Sequence, residues 1–239
     1  MRAYMCAVPH SLSLRYTALR QIIIKSALAT LGVVAGCAVV VFAILSFGFP
    51  GTLCGWCEQL GNYGFAVKYA SLYYSYTDNI SDLARCAEDS IFSENNGYIT
   101  EYCTQLVDDD EFDEYCSLRD EEIAQGSPYI IFSYRHYIYG AVAEAEYLEG
   151  NTELALGFAV EALDPGFSRE NFSADGKVNY AIQSFPVNNA LGSLALTVIE
   201  RGDKTAATDV LKVLANVNCA SDEEQTYLDT LSGALEKTA

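Results

Sequence analysis

Residues 150–163, GNTELALGFAVEAL, indicate which fold this chain adopts. The stretch opens with Gly-Asn, a pair typical of a tight turn before a helix. Counting five, eight, nine and twelve positions on from the glycine gives Ala155, Phe158, Ala159 and Ala162, which lie on one face of a helix. The stretch therefore predicts a helix that begins at a turn and packs through one apolar face.

Three other segments repeat this spacing, starting at Gly61, Glu94 and Gly202. The same four offsets give apolar or aromatic residues in every copy: Ala66, Tyr69, Ala70 and Tyr73; Ile99, Tyr102, Cys103 and Leu106; and Ala207, Val210, Leu211 and Leu214. Small residues recur at the fifth and ninth offsets, so we expect four helices with equivalent inward faces. Cys103 stands at a position that holds alanine in two other copies, which favours a small core residue over a ligand.

The pattern Gly-Asn/Asp-x-x-x-Ala resembles the tetratricopeptide repeat family, whose unit is a helix hairpin of about 34 residues. The resemblance covers residues 52–215 and is to degenerate repeats in a membrane-anchored protein of bacterial type. It implies an all-α fold: a tetratricopeptide-like α-solenoid of three to four helix hairpins. First helices are expected at 80–92, 128–149 and 188–200. The spacing of Ser221 and Glu224 fits a capping box, which predicts a C-terminal helix that caps the stack.

The intervals between copies leave room for two insertions, because two of them exceed the family period by about 20 residues. Residues 108–126 are very acidic, and Phe112, Tyr115 and Leu118 at helical spacing predict one added helix with a solvated face. Residues 164–186 contain Pro, Gly and aromatic residues without a period, which predicts a long loop. Long loops of this kind are often functional.

The N-terminal part predicts a membrane span. Residues 26–49 carry no charge and exceed the ~20 residues that a helix needs to cross a bilayer. The first 49 residues hold four basic and no acidic side chains, and basic flanks stay in the cytoplasm. We therefore expect a basic cytoplasmic tail (1–25), a single-pass span in the cell membrane, and an extracytoplasmic domain (50–239). A cleaved signal peptide has a shorter apolar core. Lipidation of Cys37 is disfavoured by the apolar residues that follow it.

The outer segment is strongly acidic, with ten Lys and Arg against 32 Asp and Glu, a net charge of −22. This balance excludes nucleic acid, whose phosphates require basic side chains. It is compatible with a basic protein or peptide partner, although the charge could serve solubility alone.

The motif Cys54-Gly55-Trp56-Cys57 raises the alternative of a redox or metal site. A thioredoxin-type motif lies between a strand and a helix, whereas here an apolar span precedes it. A zinc site needs paired ligands, but the remaining outer cysteines are single and His136 is the only outer histidine. We expect no metal and no cofactor, with Cys54, Cys57 and Leu60 on the inner face of a short helix. A disulfide that includes Cys54 and Cys57 stays open, since an oxidising compartment permits it.

No arrangement of residues predicts catalysis. A Gly-x-Ser-x-Gly elbow and phosphate-binding Gly-rich loops are absent, and any triad would have to use His136 in the tyrosine-rich SYRHYIYG. The acid run DDDEFDE lacks the ligand spacing of a calcium loop. We therefore expect a protein that is not an enzyme.

Tyrosine is the enriched residue that could contact a partner. In the family, first helices line a concave groove, which assigns partner binding to Tyr134, Tyr137 and Glu144 on one first helix and to Phe172 and Tyr180 in the long loop. The expected function is a membrane-anchored scaffold that binds a protein or peptide. Two alternatives stay open: a thiol–disulfide protein that uses Cys54 and Cys57, and a ligand-sensing outer domain.

Overall fold

The computed structural model describes residues 10–126, 133–173, 185–186 and 189–239, with side chains from Arg20 onward. Its regular elements in these residues are helical: α1 His10–Gly48, α2 Pro50–Gln59, α3 Tyr63–Thr77, α4 Ile80–Phe92, α5 Asn96–Val107, α6 Phe112–Gly126, α7 Tyr134–Leu148, α8 Thr152–Leu163, a 3-10 turn Arg169–Asn171, α9 Ala190–Arg201, α10 Lys204–Leu214 and α11 Asp222–Thr238. The prediction of an all-α chain is confirmed for this part of the protein.

Helix α1 is the one helix among the described residues that is long and apolar enough to cross a membrane. The qualifying part is Arg20–Gly48, 29 residues, and its most apolar window has no buried residue. The chain divides into two compact units, residues 1–52 and 53–239. The second unit contains the helical core and the cavities discussed below.

Three turns between helices have the same backbone geometry. Gly61, Gly150 and Gly202 have φ values of 68°, 95° and 65°, which residues with a Cβ atom rarely adopt. In each turn the glycine amide donates to the carbonyl three residues back, and the next amide donates to the carbonyl five residues back. This pattern closes the end of a helix and lets the next helix start at once. The fourth turn has Glu94 at φ 53° instead of glycine.

The faces predicted from the repeat spacing point inward. None of the sixteen side chains is exposed; Tyr69, Tyr73, Tyr102 and Leu211 are half-buried and the other twelve are buried. Cys103 is fully buried, as expected of a small core residue. Consecutive helices pack in the order α3, α4, α5, α7, α8, while α9 contacts α7, α8, α10 and α11. Helix α6 packs on α7 and α4.

The helix ends follow local chemistry. The side chain of Asn79 caps α4, Asn189 caps α9, and Ser221 and Glu224 form the predicted capping box of α11. Helix α7 starts at Tyr134 after Ser133, and the expected start at 128 lies outside the described residues. Helix α6 confirms the helix predicted within 108–126.

Two predicted inward positions are wrong. Leu60 is 82% exposed because α2 ends at Gln59 and Leu60 belongs to the turn, not to the inner face of the helix. Leu118 is 54% exposed, since α6 packs inward through Phe112 and Cys116. Local periodicity places such residues on a helix, but it does not decide which edge of the apolar stripe meets a neighbour.

Candidate functional site

A cavity of about 470 Å³ opens beside α4, and we call it the α4 pocket. Its lining comes from α2, α3, α4 and α6 and is mostly charged or aromatic: Glu58, Tyr63, Ser81, Arg85, Glu88, Asp89, Phe92, Tyr115 and Arg119. Three carboxylates and two guanidinium groups give the lining a net negative charge. A cavity of this size that collects several charges in a small volume is the strongest candidate site in the described part of the chain.

Helix α4 positions the charged groups because of its own periodicity. Its buried stripe includes Leu83, Cys86 and Ala87, and Asp89 follows Cys86 by three residues, so its carboxyl group lies on the inner face. Asp89 is only 4% exposed. Arg85 and Glu88 stand at the edge of that stripe, where their side chains reach both the cavity and solvent.

Cys54 does not line the cavity, but it lies between two carboxylates that do. Its Sγ is 3.3 Å from Glu58 Oε1 and 3.4 Å from Asp89 Oδ2, and Arg85 Nε donates to the same Glu58 oxygen at 2.6 Å. A thiol has one proton to donate, so it satisfies one of these acceptors at a time. Asp89 has no ion-pair partner among the described residues, whereas Glu58 has Arg85.

The proton affinities of these groups follow from burial and charge. Burial, and then the negative charge of Glu58, raise the pKa of Asp89 to about 6. The hydrogen bond from Arg85 lowers the pKa of Glu58. Burial and the neighbouring Asp89 charge raise the pKa of the Cys54 thiol well above its ordinary range. The pocket therefore holds a carboxyl group with a raised pKa, next to a buried thiol that stays protonated.

The second wall of the pocket joins α4, α6 and α7. Glu88 accepts a hydrogen bond of 3.0 Å from the hydroxyl of Tyr134 and one of 3.4 Å from Arg119. Arg119 also pairs with Glu122 and lies 5.6 Å above the Tyr134 ring. The buried Tyr134 hydroxyl thus fixes Glu88, whose carboxylate faces the cavity.

Aromatic rings form the rim. The rings of Tyr63 and Phe92 stack with centroids 5.0 Å apart, and Phe92 is 57% exposed. Tyr115 lies on the other side, with its ring at 5.6 Å from Tyr134. A stacked pair with one exposed ring next to carboxylates is an arrangement that attracts cations through both the ring and the charges.

Four of the five residues predicted to bind a partner are described by the structure, and these four do not form one site. Tyr134 is 2% exposed and Tyr137 is half-buried beside it, with ring centroids 6.3 Å apart, so both belong mainly to the core. Glu144 is half-buried and accepts a hydrogen bond from Thr197, which joins α7 to α9. Phe172 is 8% exposed and packs against Phe167. Tyr180 lies outside the described residues.

Phe172 lines a second, shallow cavity of about 630 Å³ near the start of α8. Arg169 lines it as well, and it pairs with Asp108 and Glu161 while its guanidinium covers the Phe158 ring at 4.5 Å. Because these charges already satisfy one another, this cavity offers a ligand less than the α4 pocket does.

Cys54 and Cys57 are free thiols, as are Cys86, Cys103, Cys116 and Cys219. Cys54 is fully buried and Cys57 is half-buried. Burial, with the negative charge of Asp89, raises the pKa of Cys57 and raises that of Cys86 to about 12. A reactive thiol needs the opposite shift, because the thiolate is the nucleophile.

His136 does not form a catalytic arrangement with other described residues. Burial and the nearby Arg135 lower the pKa of His136 to about 4, and its buried Nδ1 lacks a hydrogen-bond partner there. The acid run after α5 is used structurally: Asp108 pairs with Arg169, Asp113 pairs with Arg135, and Asp109 accepts from the Glu111 amide.

None of the family models, curated proteins or solved structures compared with the chain matches it. The functional interpretation therefore depends on the geometry of the site.

Sequence reasoning missed Arg85, Glu88, Asp89 and Arg119. One signal was present: in ISDLARCAEDSIF, Asp89 shares a helix face with Leu83 and Cys86. A carboxyl group on an otherwise apolar face requires a partner or a function. The other three look like ordinary surface charges in the sequence, and only packing of α6 and α7 against α4 brings them together.

Proposed function

We propose that this protein is a non-catalytic, single-pass membrane protein whose outer domain binds a basic segment of a protein partner in the α4 pocket. Helix α1 crosses the cell membrane with its N-terminus in the cytoplasm, and residues 50–239 lie outside. The outer domain is a tetratricopeptide-like solenoid in which α2/α3, α4/α5, α7/α8 and α9/α10 are the hairpins and α11 is the cap.

The solenoid assignment is supported by repetition at two levels. Three of the four hairpin turns share one backbone hydrogen-bond pattern around Gly61, Gly150 and Gly202. The helices that follow the turns bury equivalent positions. Repeated hairpins that contact their neighbours are the structural basis of a solenoid.

The composition of the α4 pocket is the observation that carries the binding function. It combines Asp89, a buried carboxyl group without an ion-pair partner in the described chain, with a stacked pair of rings in which Phe92 is exposed and Tyr63 is half-buried. A purely structural core seldom buries a carboxyl group whose side-chain donor is a weak thiol, because burial of the charged form then costs free energy in the unbound protein.

A lysine or arginine side chain satisfies both features. Its alkyl stem packs along Phe92, and its charged end donates to Asp89 and Glu88. A charge-assisted hydrogen bond contributes about 1.5–3 kcal/mol and a cation–π contact about 0.5–2 kcal/mol. The net charge of −22 on the outer segment would also attract a basic partner over longer distances.

A thiol–disulfide function has weaker support. Cys54 is inaccessible, and the shifts in pKa keep the thiols of Cys54 and Cys57 protonated. The two sulfurs belong to the packing of α2 on α3 and α4 rather than to an exposed active site.

A photocrosslinker placed at the pocket rim tests the proposal. We replace Phe92 with p-benzoylphenylalanine in the full-length chain, irradiate native membranes, and map the crosslinked peptide by mass spectrometry. We expect a partner peptide that contains lysine or arginine, and we expect Asp89→Asn together with Glu88→Gln to reduce the crosslink because both remove charge from the pocket.

The matched control carries the crosslinker at Leu196 on α9, which is 50% exposed and does not line the pocket. Equal crosslinking at positions 92 and 196, or crosslinks at 92 that survive the Asp89/Glu88 double substitution, would contradict the proposal.

A further inference from the structure

The first hairpin carries apolar side chains that its own domain does not cover. Trp56, the only tryptophan in the chain, is 51% exposed. Leu60 is 82% exposed and Phe65 is 53% exposed, and all three lie within ten residues of chain around the Gly61 turn. Exposed tryptophan and leucine this close together in a domain that is otherwise acidic indicate an interaction surface.

The charge balance of this hairpin differs from that of the rest of the domain taken together. Residues 50–77 contain one acidic side chain, Glu58, and one basic side chain, Lys68. Residues 78–239 contain 31 acidic and nine basic side chains. The hairpin is therefore neutral and rich in tryptophan, phenylalanine and tyrosine, whereas a negatively charged membrane surface would repel the segment that follows it.

The hairpin follows the apolar helix closely in the chain. Helix α1 ends at Gly48 and α2 begins at Pro50, so Trp56 is eight residues from the end of the apolar helix. Eight residues of chain keep Trp56 within about 25–30 Å of that end, which lets the hairpin reach the polar layer of about 5–8 Å on one side of a membrane. Tryptophan and tyrosine prefer this layer, because their rings are apolar and their N–H or O–H groups remain hydrated.

The side-chain directions are compatible with such contact. Glu58 and Tyr63 line the α4 pocket. Trp56, two residues before Glu58, and Phe65, two residues after Tyr63, do not line it. Lys68 lies 5.2 Å above the Phe65 ring, where its ammonium group could reach lipid phosphates. The hairpin thus lines the pocket through Glu58 and Tyr63, while Trp56 and Phe65 are exposed away from the pocket, with Lys68 beside Phe65.

We propose that the α2–α3 hairpin rests on the outer membrane–water interface and inserts Trp56, Leu60 and Phe65 into the boundary between lipid headgroups and acyl chains. The inference depends on the membrane span of the proposed function. The contact fixes the first hairpin of the domain against the bilayer, so that the domain does not swing freely on its anchor.

The single tryptophan is a direct reporter for this contact. The full-length protein is reconstituted into phosphatidylcholine vesicles that contain lipids brominated either near the headgroup or near the bilayer centre. We expect strong quenching of Trp56 fluorescence by the shallow bromines and weaker quenching by the deep ones. The double variant Leu60→Ser/Phe65→Ser should lose most of the shallow quenching, because the hairpin loses its apolar contacts.

The matched control places the tryptophan at another position. Trp56→Phe combined with Leu196→Trp places the only tryptophan on α9, and we expect it to stay unquenched. Alkaline extraction of the same vesicles reports separately on the anchor: a protein released by alkali contradicts the membrane span and hence the proposed function. A protein that resists alkali but shows no quenching of Trp56 overturns the hairpin inference alone. Blue-shifted, unquenched Trp56 emission also overturns it, since protein and not lipid would then cover the residue.

Discussion

Within residues 53–239, the first hairpin and the later ones reach stability by different means. Around α7 and α8 the core is apolar, with Phe158, Ile138 and Leu156 fully buried. Where α2 meets α3 and α4, a small separate cluster contains Cys54, Ala66, Ala70 and Cys86. That cluster adjoins Glu58, Arg85 and Asp89.

The difference shows what the two regions are suited for. A large apolar core supports a rigid scaffold, because packing contributes most of its stability. A small cluster beside a partly paired polar network contributes less stability, but it leaves charged groups able to bind a ligand. The predictions below test this contrast, beginning with the largest expected effect.

Truncating one buried side chain in each region should lower the free energy of unfolding by different amounts. Phe158→Ala should lower the free energy of unfolding by about 3–5 kcal/mol, because it leaves a large cavity beneath Arg169 and Tyr139. Cys54→Ala should cost only ~1–2 kcal/mol, since it removes a small side chain and one weak hydrogen bond. Equilibrium urea unfolding in detergent, followed by near-UV circular dichroism, measures both. Similar losses at the two positions would remove the distinction.

The hairpin turns provide a second comparison. Gly202→Ala should lower the free energy of unfolding by about 1–2 kcal/mol, because a Cβ is strained at φ 65°. Glu94→Gly should raise it by ~0.5–1 kcal/mol, because it relieves the same strain at φ 53°. Thermal unfolding of each variant beside the parent protein gives the sign. An unchanged melting temperature for Glu94→Gly would mean that interactions of the Glu94 side chain offset the strain of its backbone.

Titration of Asp89 should make the first hairpins sensitive to pH. The pKa of Asp89 in the folded protein is raised to about 6, so its contribution to stability is present below its ordinary pKa and is lost as the pH rises through 6. Asp89→Asn cannot ionise and should gain stability relative to the parent between pH 5 and 7, by ~1 kcal/mol after allowance for solvent screening.

Melting temperatures of both proteins across this range measure the effect. Glu58→Gln is the matched control, because the pKa of Glu58 is lowered and its contribution to stability is lost at lower pH. A constant difference between parent and Asp89→Asn over this range would show that Asp89 does not titrate there.

Much of the local structure was predictable. The turn at Gly150, the face that carries Ala155 and Phe158, and the capping box of α11 depend on contacts between residues close in sequence. The candidate site was harder to predict. Glu88 meets Tyr134 across 46 positions and Cys54 meets Asp89 across 35, and no periodicity connects such pairs.

Aromatic residues show most clearly what the sequence does not predict. The sequence marks Tyr134 and Phe92 alike as aromatic residues of a helix, yet Tyr134 is 2% exposed and Phe92 is 57% exposed. Each helix offers an apolar stripe wider than one neighbour can cover, so the neighbours decide which rings are buried.

The sequence by itself determined that the chain is helical, where its turns lie, and that one segment is apolar enough to span a membrane, because backbone hydrogen bonds, caps and hydropathy act within one or two helical turns. Only the tertiary structure decided that Cys54 is buried between two carboxylates while Trp56, two residues away, faces outward. The reason is that burial and pKa depend on the groups that other helices bring close, and those contacts are absent from the local sequence.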